Sequence, residues 1–94
     1  AMIVSFACKE TARMWEGEES RRFPRDIQDR ALVKLRQLDA ARTLEDLTNP
    51  PSNRLKALKG ARKGQMSVRI NDQWRICFLW KDGEARQVEI VDYH

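Results

Sequence analysis

From Gln65 onward apolar and polar residues alternate, with Met66, Val68 and Ile70 set against Gln65, Ser67 and Arg69. A period of two is that of a strand with one buried face. After Asn71-Asp72-Gln73 the alternation resumes as Trp74, Ile76, Phe78 and Trp80, and Lys81-Asp82-Gly83 predicts a second turn into a strand over 84–91. Upstream the period is helical. Ile27, Ala31, Leu35 and Leu38 recur at i, i+4, i+8 and i+11, which predicts an amphipathic helix over 24–41 with Pro24 in its first turn. Leu32 widens the apolar stripe, Lys34 lies at its margin and Val33 points away. A shorter helix is expected over 9–16, closed by Gly17, and the apolar run Ile3 to Phe6 reads as a buried first strand. Thr43 followed by Asp46 caps one further turn carrying Leu44 and Leu47, which Asn49-Pro50-Pro51 stops.

The predicted order is strand, two helices, then three antiparallel strands: an α+β domain with its helices on one face of the sheet. Ninety-four residues without an internal repeat or long linker make a single domain over 1–94. With 41% apolar and 34% charged residues the chain builds a modest core and is not disordered by composition. No apolar run approaches a membrane span, so no membrane partner is expected. Met2-Ile3-Val4-Ser5-Phe6 lacks the basic region and small-residue cleavage site of a secretion signal and reads as a native start, with Ala1 left from cloning. Cys8 and Cys77 are far apart and in no CxxC pair, which predicts two inert thiols in a reducing cytoplasm.

Charge changes the picture. Residues 1–50 carry nine basic and nine acidic side chains and cancel. Between Pro51 and Arg75, Arg54, Lys56, Lys59, Arg62, Lys63, Arg69 and Arg75 face Asp72 alone. A one-sign segment on a small domain concentrates anions, and a polyphosphate is the leading partner.

Register sharpens this. For Met66, Val68 and Ile70 to share a buried face with Trp74, Ile76 and Phe78, a three-residue loop, Asn71 to Gln73, must set Ile70 opposite Trp74. Arg69 then faces Arg75 on the side away from the helices, with no carboxylate interleaved. Like charges directly opposite are unfavourable. Either both splay into water, at about a few tenths of a kcal/mol, or they form a two-guanidinium clamp for a phosphate. Just upstream, Leu55 and Leu58 pin a segment to the core while Lys56, Lys59 and Arg62 reach outward. At the chain end, Asp92-Tyr93-His94 holds the sole histidine, the one side chain whose ordinary pKa lies near neutrality. Strand parity sets Val91 and Tyr93 on one side of their strand but leaves open whether that is the arginine side.

RNA is cut without metal when its 2′-hydroxyl attacks the neighbouring phosphorus. That reaction needs a base, cations around the five-coordinate phosphorane, and an acid for the 5′-oxygen. Lys59, Arg62, Arg69, Arg75, Tyr93 and His94 could supply all three. A two-metal nuclease needs converging carboxylates, and Asp72 is accounted for by the turn. With no Walker loop, HExxH or GxSxG present, neither metal nor cofactor is expected.

Leu58-Lys59-Gly60, Ser67-Val68-Arg69-Ile70-Asn71, Gln73-Trp74-Arg75-Ile76-Cys77-Phe78 and the terminal Glu89-Ile90-Val91-Asp92-Tyr93-His94, in that order, resemble the HigB branch of the RelE toxin superfamily. The resemblance spans nearly the whole chain. It implies a bacterial type II toxin, a metal-independent endoribonuclease that cuts translated mRNA in the ribosomal A site. It further implies a HigA-type helix-turn-helix antitoxin whose complex with the toxin binds operator DNA. On this resemblance the active-site lysine falls on Lys59, the phosphate-binding arginines on Arg69 and Arg75, and the terminal acid, aromatic and imidazole on Asp92, Tyr93 and His94. Arg62, Lys56, Lys63 and Arg54 extend the RNA-binding surface. Some relatives carry a histidine three residues before the lysine, where this chain has Lys56, leaving His94 as the principal proton-transfer group. Two other classes compete. A ParE-like toxin acting on DNA gyrase predicts a replication block with intact mRNA, and a basic RNA-coating module predicts steep salt dependence without scission. The sequence does not name the antitoxin's docking surface, for which the first half, with its balanced charge and Val33, is a candidate.

Overall fold

The computed structural model describes residues 2–93, in which two helices precede a four-stranded antiparallel sheet of order β1-β2-β3-β4. Helix α1 spans Lys9–Trp15 and α2 Arg25–Ala40. The strands are β1 Lys56–Ala57, β2 Met66–Arg69, β3 Trp74–Lys81 and β4 Glu84–Asp92.

Local chemistry marks several of the helix boundaries. Gly17, at φ 91°, takes the left-handed turn after α1 that a Cβ would oppose. Pro24 occupies the N-cap of α2. The predicted cap at Thr43 is a reciprocal capping box: Asp46 N–H donates to Thr43 Oγ1, and Thr43 N–H donates to Asp46 Oδ2 at 3.1 Å. It opens a 3₁₀ turn over Leu44–Thr48, and a second covers Pro51–Asn53 beyond the cis Asn49–Pro50 bond.

Ile27, Ala31, Leu35 and Leu38 of α2 pack on Val68, Ile70, Ile76, Phe78, Val88 and Ile90 of the sheet. Burial of each large aliphatic or aromatic side chain among them contributes about 1.5–3 kcal/mol. Phe23 meets Trp74 edge to face at 5.6 Å, and Thr11 Oγ1 of α1 accepts the N–H of Ile90 at 3.1 Å. The helices thus cover one face of the sheet, as the apolar alternation predicts. Val33 is 49% exposed on α2. Among the described residues no helix is long and apolar enough to cross a membrane.

Two expectations are corrected. Residues Ile3 to Phe6 are no buried strand: they touch β4 through single parallel bridges, Ile3 to Ala85 and Phe6 to Val88, and Val4 is 45% exposed. The cause is a bulge in β4. Gln87 stands at φ 51° and shifts the β3–β4 register by one residue between Cys77 and Leu79. Gln87 N–H is thereby given to Ser5 Oγ at 2.9 Å. The second correction is β1, unforeseen because two exposed residues are too short to show a period. Leu55 packs on the core as expected, whereas Leu58 is buried outside that cluster.

Candidate active site

The alternation that buries one face of the sheet leaves the other to Lys56, Ser67, Cys77 and Glu89, aligned in register across all four strands. In the next row Arg69 stands opposite Arg75, as the three-residue loop requires, and Arg75 opposite Val91. Asn71 fixes that loop: its Oδ1 accepts from the N–H groups of Gln73 at 2.9 Å and Trp74 at 2.8 Å. The pairing of Val91 with Arg75 settles what parity left open. Tyr93 lies on the arginine face, its ring centroid 4.8 Å from Lys56 Nζ and 5.8 Å from Arg75 Cζ. Such contacts contribute about 0.5–2 kcal/mol each, depending on desolvation.

Arg75 is only 8% exposed. Its Nε donates to Ser67 Oγ at 2.8 Å and its Nη2 to the Arg54 carbonyl at 2.6 Å. No carboxylate pairs with it among the described residues. Burial lowers its pKa below the usual guanidinium value, partly offset by Cys77 and Tyr93. The result is a fixed, desolvated cation whose Nη1 bonds to no other described residue, the arrangement that favours an incoming anion.

Arg69 takes a different partner. Its Nη2 pairs with Asp72, a side chain 99% exposed, so the expectation of an arginine pair with no carboxylate nearby is corrected. The loop that enforces the register also carries the acid. An exposed pair of this kind is worth about 0–1 kcal/mol, weak enough for a phosphate to replace the carboxylate. Arg62 Nη1 donates to Glu89 Oε1 at 2.7 Å and to Gln65 Oε1 at 3.0 Å. The Glu89 bond is the main reason its pKa is raised. Beneath these cations Cys77 is fully buried, and desolvation pushes its thiol pKa up, consistent with an inert thiol.

The structure therefore gathers Lys56, Arg75 and Tyr93 into one cluster, with Arg62 tied to Glu89 in the neighbouring row. Arg54 contributes its backbone carbonyl, and its own side chain is exposed. Lys59 and Lys63 flank the 3₁₀ turn Gly60–Arg62 and are exposed. Asp92 pairs with Trp74, which sets it on the opposite side of β4 from Tyr93, where its Oδ2 accepts from Gln73 Nε2 at 3.0 Å. His94 lies outside the described residues. Sequence reasoning missed Ser67 and Glu89; strand parity alone sets Ser67 on the arginine face and was the available signal.

A family model described as the RelE-like toxin of the type II toxin-antitoxin system HigB matches residues 4–94. Toxin HigB-1 of Vibrio cholerae is 39% identical over 85 residues, covering 89% of this chain and 90% of that protein. Endoribonuclease HigB of Proteus vulgaris is 32% identical over 93 residues, covering 99% of this chain and 100% of that protein. Among solved structures, the YoeB-YefM complex from Staphylococcus aureus aligns with a TM-score of 0.61 at 15% identity, over 100% of this chain and 99% of that one, a likeness of fold. With a family match over nearly its whole length and relatives at these identities, the chain belongs to the HigB family of RelE-like type II toxins.

Proposed function

We propose that this chain is an endoribonuclease that cuts translated mRNA in the ribosomal A site and is restrained by a HigA-type antitoxin. The observation that carries the reading is Arg75, buried with no counter-ion among the described residues on a sheet face that also presents Lys56, Tyr93 and Arg69. A buried cation of this kind is costly for a fold alone and is repaid by a bound anion. The relative named Endoribonuclease HigB supports RNA as that anion's source.

The 2′-oxygen forms a bond to phosphorus while the bond to the 5′-oxygen breaks, leaving a 2′,3′-cyclic phosphate and a 5′-hydroxyl. The 2′-hydroxyl proton passes to a base, and an acid supplies one to the departing 5′-oxygen. Arg75 and Lys59 stabilise the phosphorane, Arg69 holds phosphate, and Tyr93 orients or stacks on a base. Lys56, Arg62, Lys63 and Arg54 add positive field along the strand, and His94 is the principal proton-transfer group. Such chemistry calls for neither metal nor cofactor and takes place in the cytoplasm, where ribosomes translate. The antitoxin complex binds operator DNA.

Primer extension on an mRNA in a translating bacterial extract tests this. Wild type is expected to leave discrete cuts within the open reading frame, and Arg75→Ala, Lys59→Ala and deletion of His94 to suppress them. Equal cleavage by all three variants removes the proposed site. Equal cleavage of the same mRNA without ribosomes removes the A-site reading.

A further inference from the structure

Arg75 is held from two sides, and one of those holds leads away from the sheet. The Arg54 carbonyl that accepts its Nη2 belongs to a residue at φ 43°, the left-handed region that a side chain disfavours. The Arg54 N–H closes the 3₁₀ turn by donating to the Pro51 carbonyl at 3.1 Å. Immediately before it, Asn53 is 1% exposed and uses both ends of its amide. Its Nδ2 donates to the Leu47 carbonyl at 3.1 Å and its Oδ1 accepts from Lys34 Nζ of α2.

Lys34 is an unusual choice for that position. It is 7% exposed and forms no ion pair among the described residues. Burial lowers its pKa below 10.5, and the nearby Arg30 and Arg69 add to the effect. An apolar side chain at the margin of the α2 stripe would avoid that desolvation. What Lys34 provides is a fixed donor for Asn53, and through Asn53 a fixed backbone at Arg54.

We propose that Lys34 and Asn53 are positioning residues for Arg75, acting through the Arg54 carbonyl, while Ser67 holds the guanidinium from the opposite side. This rests on the reading that Arg75 meets the scissile phosphate. The chain of bonds runs from Lys34 to Asn53, along the backbone to the Arg54 carbonyl, to Arg75, and on to Ser67. Helix α2, which contributes no group to the sheet face, thereby sets the orientation of its central cation.

The test uses the full chain with ribosomes programmed with a short mRNA, under single turnover. Asn53→Ala, Lys34→Met, Ser67→Ala and Ser67→Thr are each made alone and in an Arg75→Ala background, with thermal melts confirming the folded state. Alone, the first three are expected to slow cleavage at saturating ribosomes by about 10- to 100-fold, as a small misplacement of a reacting group does, with half-saturation unchanged. Ser67→Thr keeps the hydroxyl and is expected to recover most of the rate. In the Arg75→Ala background none adds a further loss, because each acts through the same guanidinium. The Arg75 Nε–H resonance in nitrogen-15 NMR, expected to exchange slowly in the wild type because it is bonded to Ser67 Oγ, is expected to shift or broaden in all three slow variants. Losses that multiply in the double variants overturn the proposal, as does an unmoved resonance with unchanged cleavage. Should Asn53→Ala fail to fold, Lys34→Met and the two Ser67 variants decide. If Arg75→Ala itself cleaves at the wild-type rate, the site reading fails, while the resonance still judges the positioning.

Discussion

The two faces of the sheet are built from the same strands and differ in how their side chains are held. On the helix side, Val68, Ile70, Ile76, Phe78, Val88 and Ile90 are buried by non-directional apolar packing. On the other side, Arg75 and Ser67 are nearly as buried, but Arg75 Nε and Nη2 and the Ser67 hydroxyl have particular partners at particular distances. The first face can exchange one apolar residue for another at modest expense. The second cannot, since removing one partner leaves another buried polar group unpaired. Apolar packing occupies one face and the candidate site the other, a single residue apart along the strands.

Four experiments break or sharpen that contrast. Phe78→Ala removes a fully buried ring from the helix face and is expected to destabilise by about 3–5 kcal/mol, against a total of about 5–15 kcal/mol for a typical domain. Urea denaturation measures it, and a loss below about 1 kcal/mol contradicts a core centred there. Arg75→Ala is expected to reduce mRNA cleavage by about 10²–10³-fold. Its effect on stability should be smaller than that of Phe78→Ala, since the buried charge it deletes has no counter-ion among the described residues. An unfolding loss as large as that of Phe78→Ala would erase the division between the faces.

Tyr93→Ala is expected to slow cleavage by about 5- to 150-fold if the ring stacks on a base, whereas Tyr93→Phe, which keeps the ring over Lys56, should stay close to wild type. Equal losses in the two variants would move the role from the ring to the phenol hydroxyl. The smallest effect concerns Lys34. Its pKa is lowered in the folded state, so between that lowered value and 10.5 the unfolded chain binds the extra proton. Wild-type stability should therefore rise with pH across that alkaline window, relative to Lys34→Met. Parallel stability curves for the two proteins would show that Lys34 is not desolvated.

Much of this was legible before the fold was known. The position of α2 and its buried stripe, the capping box at Thr43 and the facing of Arg69 by Arg75 all followed from local periodicity and one loop length. The bulge at Gln87 was hidden because its unusual φ sits on a residue with no special preference for it, and with it went the expected first strand. Ser67 was readable by parity yet passed over, as an isolated serine in a strand carries no signal of its own. Asn53 gave no hint at all: its partners, Lys34 and Leu47, lie on separate elements.

The order of residues alone thus determined which positions face the helices and which face outward, and where the positive charge gathers, because alternation and composition are properties of neighbouring residues. Only the tertiary structure decided which of those cations meets a partner among the described residues. Asp72 meets Arg69, Glu89 meets Arg62 across 27 residues, and the Arg54 carbonyl meets Arg75 across 21. The last two pairings depend on how distant segments are brought within hydrogen-bond reach, which no local pattern encodes.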